Sequence, residues 1–152
     1  MSGLRVGDPD DVDVSALDTR SMWSKDGRHA PTLKLPGIEL PDLAPMIHRQ
    51  RLVVEGEPYE AIDDATIRGY LSALTYVCDM NLLLEPVTHR SDRYGWAGWV
   101  HWETSGAHFY AWEDPLLFFS VDIYTCKPFD PGLVVDFTAE YLNTRRVVAK
   151  GF

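Results

Sequence analysis

The chain has 152 residues, of which 45% are hydrophobic and 24% are charged. These values are ordinary for a globular protein, and the length is sufficient for one domain with its own core. A formal net charge of −9 argues against a surface for nucleic acid or anionic membranes, because such a surface needs a basic patch. The N-terminus lacks the apolar segment of a secretion signal, and no apolar run approaches the roughly 20 residues of a membrane span. We therefore expect a cytoplasmic protein.

The sequence divides by composition at about residue 46. Residues 1–46 contain many aspartates, glycines and prolines, and proline at this density forbids a long helix and disfavours central strands. We interpret them as an extended N-terminal arm, either mobile or held across the domain through its scattered leucines. Residues 47–152 form the predicted domain.

Hydrophobic periodicity in the domain predicts the element order β-α-β-β-β-β-α-β. Aspartates at position 63 or 64 and at position 130 are suitable N-caps for the two helices, and Pro131 fits the first helical position. A polar turn is expected at 89–93. The strands are predicted at 50–55, 81–87, 94–103, 106–113, 117–126 and 145–152, and the helices at 64–79 and 131–142.

This order predicts an α+β fold, a two-layer sandwich in which two helices cover one face of a largely antiparallel sheet. The segment from Tyr94 to Cys126 would give the other face an unusual number of aromatic side chains. A face of this kind binds either a partner or a ligand. The tryptophans available for stacking on a ligand or for an oligomer interface are Trp96, Trp99, Trp102 and Trp112.

Ser105 lies in the junction between two predicted strands, within Glu103-Thr104-Ser105-Gly106. A serine in a tight turn can attack the carbonyl before it, form an ester and, after elimination, leave a pyruvoyl group on the new chain end. That carbonyl is an electron sink for the decarboxylation of a substrate amine. A serine that only satisfies a backbone group is the alternative interpretation.

Cys126 ends a predicted strand and is followed by Lys127, so its thiol could be a proton donor or nucleophile, or simply a buried strand cysteine. Cys78 lies on the apolar face of the first predicted helix and is expected in the core. The two cysteines lack zinc-type spacing. His101, His108 and a carboxylate could in principle bind a metal, but no spacing supports this, and we predict no metal.

From about residue 48 to 152 the chain resembles the bacterial S-adenosylmethionine decarboxylase family. The resemblance rests on the first strand (HRQRLVVE), the approach THRSDRYGWAG, the serine junction, and VDIYTC followed by a helix and RRVV. It implies that Ser105 becomes a pyruvoyl group, that Cys126 protonates the product, and that the substrate is S-adenosylmethionine or a related amino acid. It also implies a homodimer stacked through its sheets and a role in polyamine synthesis. Glu55, Glu103 and Trp112 are then candidate contacts for the cationic substrate.

The chain departs from the family pattern at the cleavage site. Thr104-Ser105-Gly106 replaces the family's Glu-Ser-His, and Tyr110 replaces the histidine five residues after the serine. His108 is predicted on the same strand face as Tyr110 and is the candidate substitute for that histidine. The alternative is a family member without a pyruvoyl group. It would be a repurposed enzyme using His108, Tyr110 and Cys126, or a regulatory partner of an active decarboxylase.

Overall fold

A computed structural model describes residues 42–152 of the chain, and the fold is described for these residues. The predicted arm at 1–46 lies outside them except for 42–46. Within 42–152, no helix is long and apolar enough to cross a membrane.

The elements follow the predicted order. The strands are β1 (Gln50–Pro58), β2 (Leu82–Ser91), β3 (Gly95–Trp102), β4 (Ser105–Trp112), β5 (Phe118–Thr125) and β6 (Thr144–Gly151), and the helices are α1 (Asp64–Val77) and α2 (Pro131–Tyr141).

The six strands form one sheet in the order β2-β3-β4-β5-β1-β6, and every adjacent pair is antiparallel. Both helices pack on the same face, which confirms the predicted α+β class. The register between β4 and β5 places Ser105 opposite Thr125, so the start of one strand meets the end of the other.

Each helix begins at the aspartate cap that its sequence predicts. Asp63 precedes α1, and its carboxylate accepts a hydrogen bond from the Thr66 N–H at 2.8 Å. Asp130 precedes α2 and accepts from the N–H groups of Gly132 and Leu133 at 2.8 and 3.2 Å. These contacts satisfy backbone donors that have no partner inside the helix.

The core lies between the helices and the sheet face that they cover. Cys78 is buried there, as predicted, and burial raises the pKa of its thiol to about 12. The sheet side of the core is formed by Leu52, Val54, Val100, Trp102, Ala107, Phe109, Ala111, Phe119, Val121 and Ile123.

Two tryptophans belong to this core rather than to the opposite face. Trp102 is only 2% exposed, and its indole N–H donates to Thr75 Oγ1 at 2.8 Å. Trp96 packs against the core and lies beside the guanidinium of Arg90. The prediction that both could stack on a ligand is therefore wrong, because strand alternation turns them toward the helices.

The predicted polar turn at 89–93 is shorter than expected. β2 continues to Ser91, with His89 opposite Ala97 and Arg90 opposite Trp96, and the turn covers 92–94. β2 is an edge strand, where polar side chains can face water without cost to the core. Polarity alone therefore indicated a turn where the chain continues a strand.

Candidate active site

Ser105 is the first residue of β4, directly after a turn formed by Glu103 and Thr104. Its backbone φ angle is +130°, a value that residues other than glycine rarely adopt. A residue held in such a conformation stores backbone strain, and strain of this kind is common at functional sites. The Thr104–Ser105 peptide bond therefore lies at a strained position at the start of β4.

Cys126 lies directly beside this turn, one residue past the end of β5, and its side chain is exposed. Its Sγ is 3.7 Å from the Ser105 Oγ, within hydrogen-bond range for sulfur. Its backbone N–H donates to the Thr104 carbonyl oxygen at 2.9 Å. The structure thus brings together the serine and the cysteine that the sequence singled out.

The Thr104 carbonyl is the group that Ser105 Oγ would attack in an acyl shift. An N–H group aimed at a carbonyl oxygen stabilises the negative charge that develops there during attack. Strain, nucleophile and hydrogen-bond donor therefore converge on a single peptide bond.

Lys127 does not direct its ammonium group at the Cys126 thiol. Nζ forms an ion pair with Asp79 Oδ2 at 2.5 Å and also donates to the Asp79 carbonyl oxygen. The position of Lys127 directly after Cys126 had suggested a cation beside the thiol. Lys127 instead links the end of β5 to the loop after α1.

His108 and Tyr110 lie on the sheet face that the helices leave open, here called the outer face. Strand alternation and burial place the following residues on it: Val53, Glu55, Trp99, His101, His108, Tyr110, Trp112, Ser120, Asp122 and Tyr124.

The register sets His108 opposite Trp99 on one side and Asp122 on the other, and the Trp99 and His108 rings are 6.4 Å apart. His108 is three positions after Ser105 along β4, a rise of roughly 10 Å. Ser105 also has the strand parity of the buried residues Ala107 and Phe109. His108 and Tyr110 therefore share a face, as expected, whereas Ser105 and Cys126 meet where β4 begins and β5 ends.

The three candidate substrate contacts lie in different places. Trp112 is near the far end of β4, with its ring 6.0 Å from that of Tyr110. Glu55 is half-buried on the outer face, opposite Ser120, which in turn lies opposite Tyr110. Two strand spacings thus separate Glu55 from Tyr110, about 10 Å. Glu103 is in the turn itself, and its carboxylate accepts from Asn81 Nδ2 at 2.8 Å.

Sequence reasoning missed two charged pairs near this site. Arg51 donates to both carboxylate oxygens of Asp122, at 2.9 and 2.6 Å, which raises the pKa of Arg51. Arg49 forms an ion pair with Asp42, and this hydrogen bond lowers the pKa of the Asp42 carboxyl. Neither pair has a sequence signal, because the partners are distant along the chain or lie outside a regular element.

Within residues 42–152, no group of three or more His, Cys, Asp or Glu side chains is arranged to hold a metal ion. The hypothesis of a metal between His101, His108 and a carboxylate thus has no support there.

Comparison with known proteins gives this arrangement its context. The model of the S-adenosylmethionine decarboxylase family matches residues 53–152, most of the chain. The chain belongs to this family. Its fold is similar to that of the adenosylmethionine decarboxylase from Aquifex aeolicus VF5, with a TM-score of 0.58 and 17% sequence identity. That similarity covers 70% of this chain and 89% of the other. No curated protein matches the chain.

The family membership supports a decarboxylase-like function with a small-molecule substrate. The serine and the cysteine to which the family resemblance pointed, Ser105 and Cys126, lie side by side. Tyr110, which the family resemblance aligns with a processing histidine, lies on the outer face.

Proposed function

We propose that this protein is a pyruvoyl-dependent decarboxylase of S-adenosylmethionine or a related amino acid, and that it cleaves itself between Thr104 and Ser105. The observation that carries the proposal is the hydrogen bond from the Cys126 N–H to the Thr104 carbonyl, beside a serine at φ +130°. An N–H donor on this carbonyl oxygen would stabilise the negative charge that develops when Ser105 Oγ attacks the carbonyl carbon.

The cleavage uses atoms that the site already contains. Ser105 Oγ attacks the Thr104 carbonyl carbon, the Thr104–Ser105 C–N bond breaks, and an ester links the two residues. Loss of the Ser105 Cα proton then expels the Thr104 carboxylate and leaves a dehydroalanine. Its imine tautomer reacts with water, releases ammonia and leaves a pyruvoyl group at the start of residues 105–152.

The residues around Ser105 fit such a group. When present, it supplies a carbonyl that accepts the electrons of the breaking carbon–carbon bond. Cys126 Sγ lies 3.7 Å from Ser105 Oγ, and in this proposal its thiol donates the proton to the carbon that loses carbon dioxide. Aromatic rings attract a sulfonium group by cation–π interaction, and farther from Ser105 the outer face carries the exposed rings of Trp99 and Tyr110 and the partly buried ring of Trp112. Glu55 adds a carboxylate there.

A homodimer stacked through the outer face, a cytoplasmic location and a polyamine-type pathway complete the proposal. Decarboxylation of S-adenosylmethionine yields an aminopropyl donor, which spermidine synthesis consumes.

Intact mass under denaturing conditions tests the cleavage. We expect two species corresponding to residues 1–104 and 105–152, the smaller one carrying a carbonyl that reacts with hydroxylamine. Ser105→Ala is the matched control and should give one full-length mass, since it lacks the nucleophile. A single full-length mass for the unaltered protein after long incubation would overturn the proposal.

One observation favours the alternative of an unprocessed family member. Tyr110 and His108 are on the outer face, and among residues 42–152 the Ser105 hydroxyl has Cys126 Sγ as its hydrogen-bond partner, with no histidine beside it. An uncut protein that still binds S-adenosylmethionine, with Ser105→Ala binding equally well, would establish that alternative. Isothermal titration of both proteins provides this measurement.

A further inference from the structure

The loop after α1, residues 79–81, contacts both sides of the candidate active site. On one side, Asp79 holds Lys127, the residue next to Cys126, through the 2.5 Å ion pair. On the other, Asn81 accepts from the Glu103 N–H at 2.9 Å and donates its Nδ2 to the Glu103 carboxylate at 2.8 Å. One short loop therefore connects the Glu103-Thr104 turn to the end of β5.

Met80, the central residue of the loop, completes the connection. Its Sδ accepts from Thr104 Oγ1 at 3.1 Å, and Thr104 carries the carbonyl of the scissile bond. Met80 is itself buried in the core. The turn that precedes Ser105 is thus fixed to the protein interior as well as to the loop.

The loop is anchored by the end of α1. Asp79 has φ +54°, a left-handed conformation that aspartate tolerates better than most residues. Its N–H donates to the Tyr76 carbonyl at 3.0 Å, and the Met80 N–H donates to the Thr75 carbonyl at 2.9 Å. These bonds end the helix and fix the loop to its C-terminal end.

The ion pair is a poor source of stability but is well placed for positioning. Its side chains are 42% and 91% exposed for Lys127 and Asp79, and exposed pairs contribute little to folding. The two distances that matter at the site, 2.9 Å to the Thr104 carbonyl and 3.7 Å to the Ser105 hydroxyl, both depend on where β5 ends. Small misplacements of reacting groups have large effects on rate.

We propose that the 79–81 loop holds the Ser105 turn and Cys126 in register for self-cleavage. The Asp79–Lys127 ion pair is the contact through which the loop positions Cys126. This inference rests on the proposed function and names residues that assist it without touching the reacting atoms.

A double-mutant cycle tests this inference. Lys127→Met and Asp79→Asn should each slow the appearance of the two fragments at least about tenfold. The double variant should be no slower than the slower single variant, because both changes break the same contact. Lys127→Arg keeps the cation and should restore most of the rate. Unchanged rates in both single variants would overturn the inference.

A control separates positioning from general stability. Arg146→Met breaks the exposed Arg146–Glu57 ion pair of 2.5 Å, which joins β6 to β1 away from the Ser105 turn, and should leave the cleavage rate unchanged. The thermal midpoints of all variants should agree with that of the unaltered protein. If Lys127→Met lowers the thermal unfolding midpoint enough to account for its slower cleavage, the loop contributes only to stability and the inference is overturned.

Hydrogen exchange gives an outcome that does not depend on cleavage. In a Ser105→Ala background the chain stays intact, and the Cys126 amide proton reports its bond to the Thr104 carbonyl. Adding Lys127→Met should speed exchange of this proton about tenfold while α1 is unaffected. Unaltered protein that never cleaves would refute the proposed function alone, whereas unchanged Cys126 exchange would refute the positioning role alone.

Discussion

Cys126 presents two chemically different groups to the same peptide bond. Its backbone N–H contacts the Thr104 carbonyl, and its thiol lies beside the Ser105 hydroxyl. The backbone donor belongs to any residue at this position, whereas the thiol belongs to cysteine alone. Self-cleavage and decarboxylation should therefore respond differently to substitution at residue 126.

We predict that Cys126→Ala still forms both fragments but loses decarboxylation. The N–H donor for the Thr104 carbonyl remains, while the proton donor for the product is removed, a loss of about 100-fold or more in turnover. Denaturing mass spectrometry measures the first effect, and release of labelled carbon dioxide from carboxyl-labelled S-adenosylmethionine measures the second. Failure of Cys126→Ala to cleave would show that the thiol itself takes part in processing.

Among the elements, α1 connects folding to the site because it carries the 79–81 loop at its C-terminal end. Its N-terminal end is set by Asp63, and the hydrogen bonds from Thr66 hold the pKa of that carboxyl below its usual value. A folded-state pKa below the unfolded one means that the charged cap stabilises the folded protein above the unfolded pKa. That contribution is lost as the pH falls through the folded pKa.

Asp63→Asn should therefore make the stability of the fold depend less on pH in the acid range. Asparagine keeps an oxygen for the Thr66 N–H but cannot be protonated in this range, so the variant should lose less stability than the unaltered protein between about pH 5 and pH 3. Urea unfolding midpoints at several pH values measure this. Asp136→Asn, at an exposed position within α2, is the control and should keep the original pH dependence. Parallel pH curves for the unaltered protein and Asp63→Asn would contradict the prediction.

At the scale of the whole molecule, the two sheet faces have different surroundings. The helices cover one face, and the outer face exposes aromatic side chains, with Trp99, Tyr110 and Tyr124 each 42–46% exposed. Several exposed aromatic side chains on one face commonly mark an interaction site. A two-fold dimer would bury the same residues on both copies.

We accordingly expect a homodimer that Trp99→Glu converts to a monomer, because the carboxylate would be buried without a partner at the interface. Sedimentation equilibrium at micromolar concentration distinguishes the two states. Tyr76→Glu, an exposed aromatic position on α1 that is 83% accessible, is the control and should remain dimeric. Monomeric unaltered protein, or dimeric Trp99→Glu, would argue against pairing through this face.

The local features of the fold could be predicted from the sequence. The caps at Asp63 and Asp130, the apolar spacing of α1 and the alternation in β3 to β5 each depend on residues close together in the chain, so the element order was correct throughout. The failures share one cause. Strand alternation groups Trp96 with Trp102, but which face of the sheet the helices cover, and that β2 with its polar residues 89–91 lies at the edge, are decided by the neighbouring strands and helices.

The same division applies to the candidate site. Ser105 and Cys126 could be chosen from residue type and from the family resemblance, because their chemistry is carried by the side chains themselves. Their approach to 3.7 Å, the donor on the Thr104 carbonyl and the support from Asp79 and Asn81 were decided by tertiary structure alone. The physical reason is that these contacts join α1, β4 and β5, and their distances are set by sheet register and helix packing rather than by spacing along the chain.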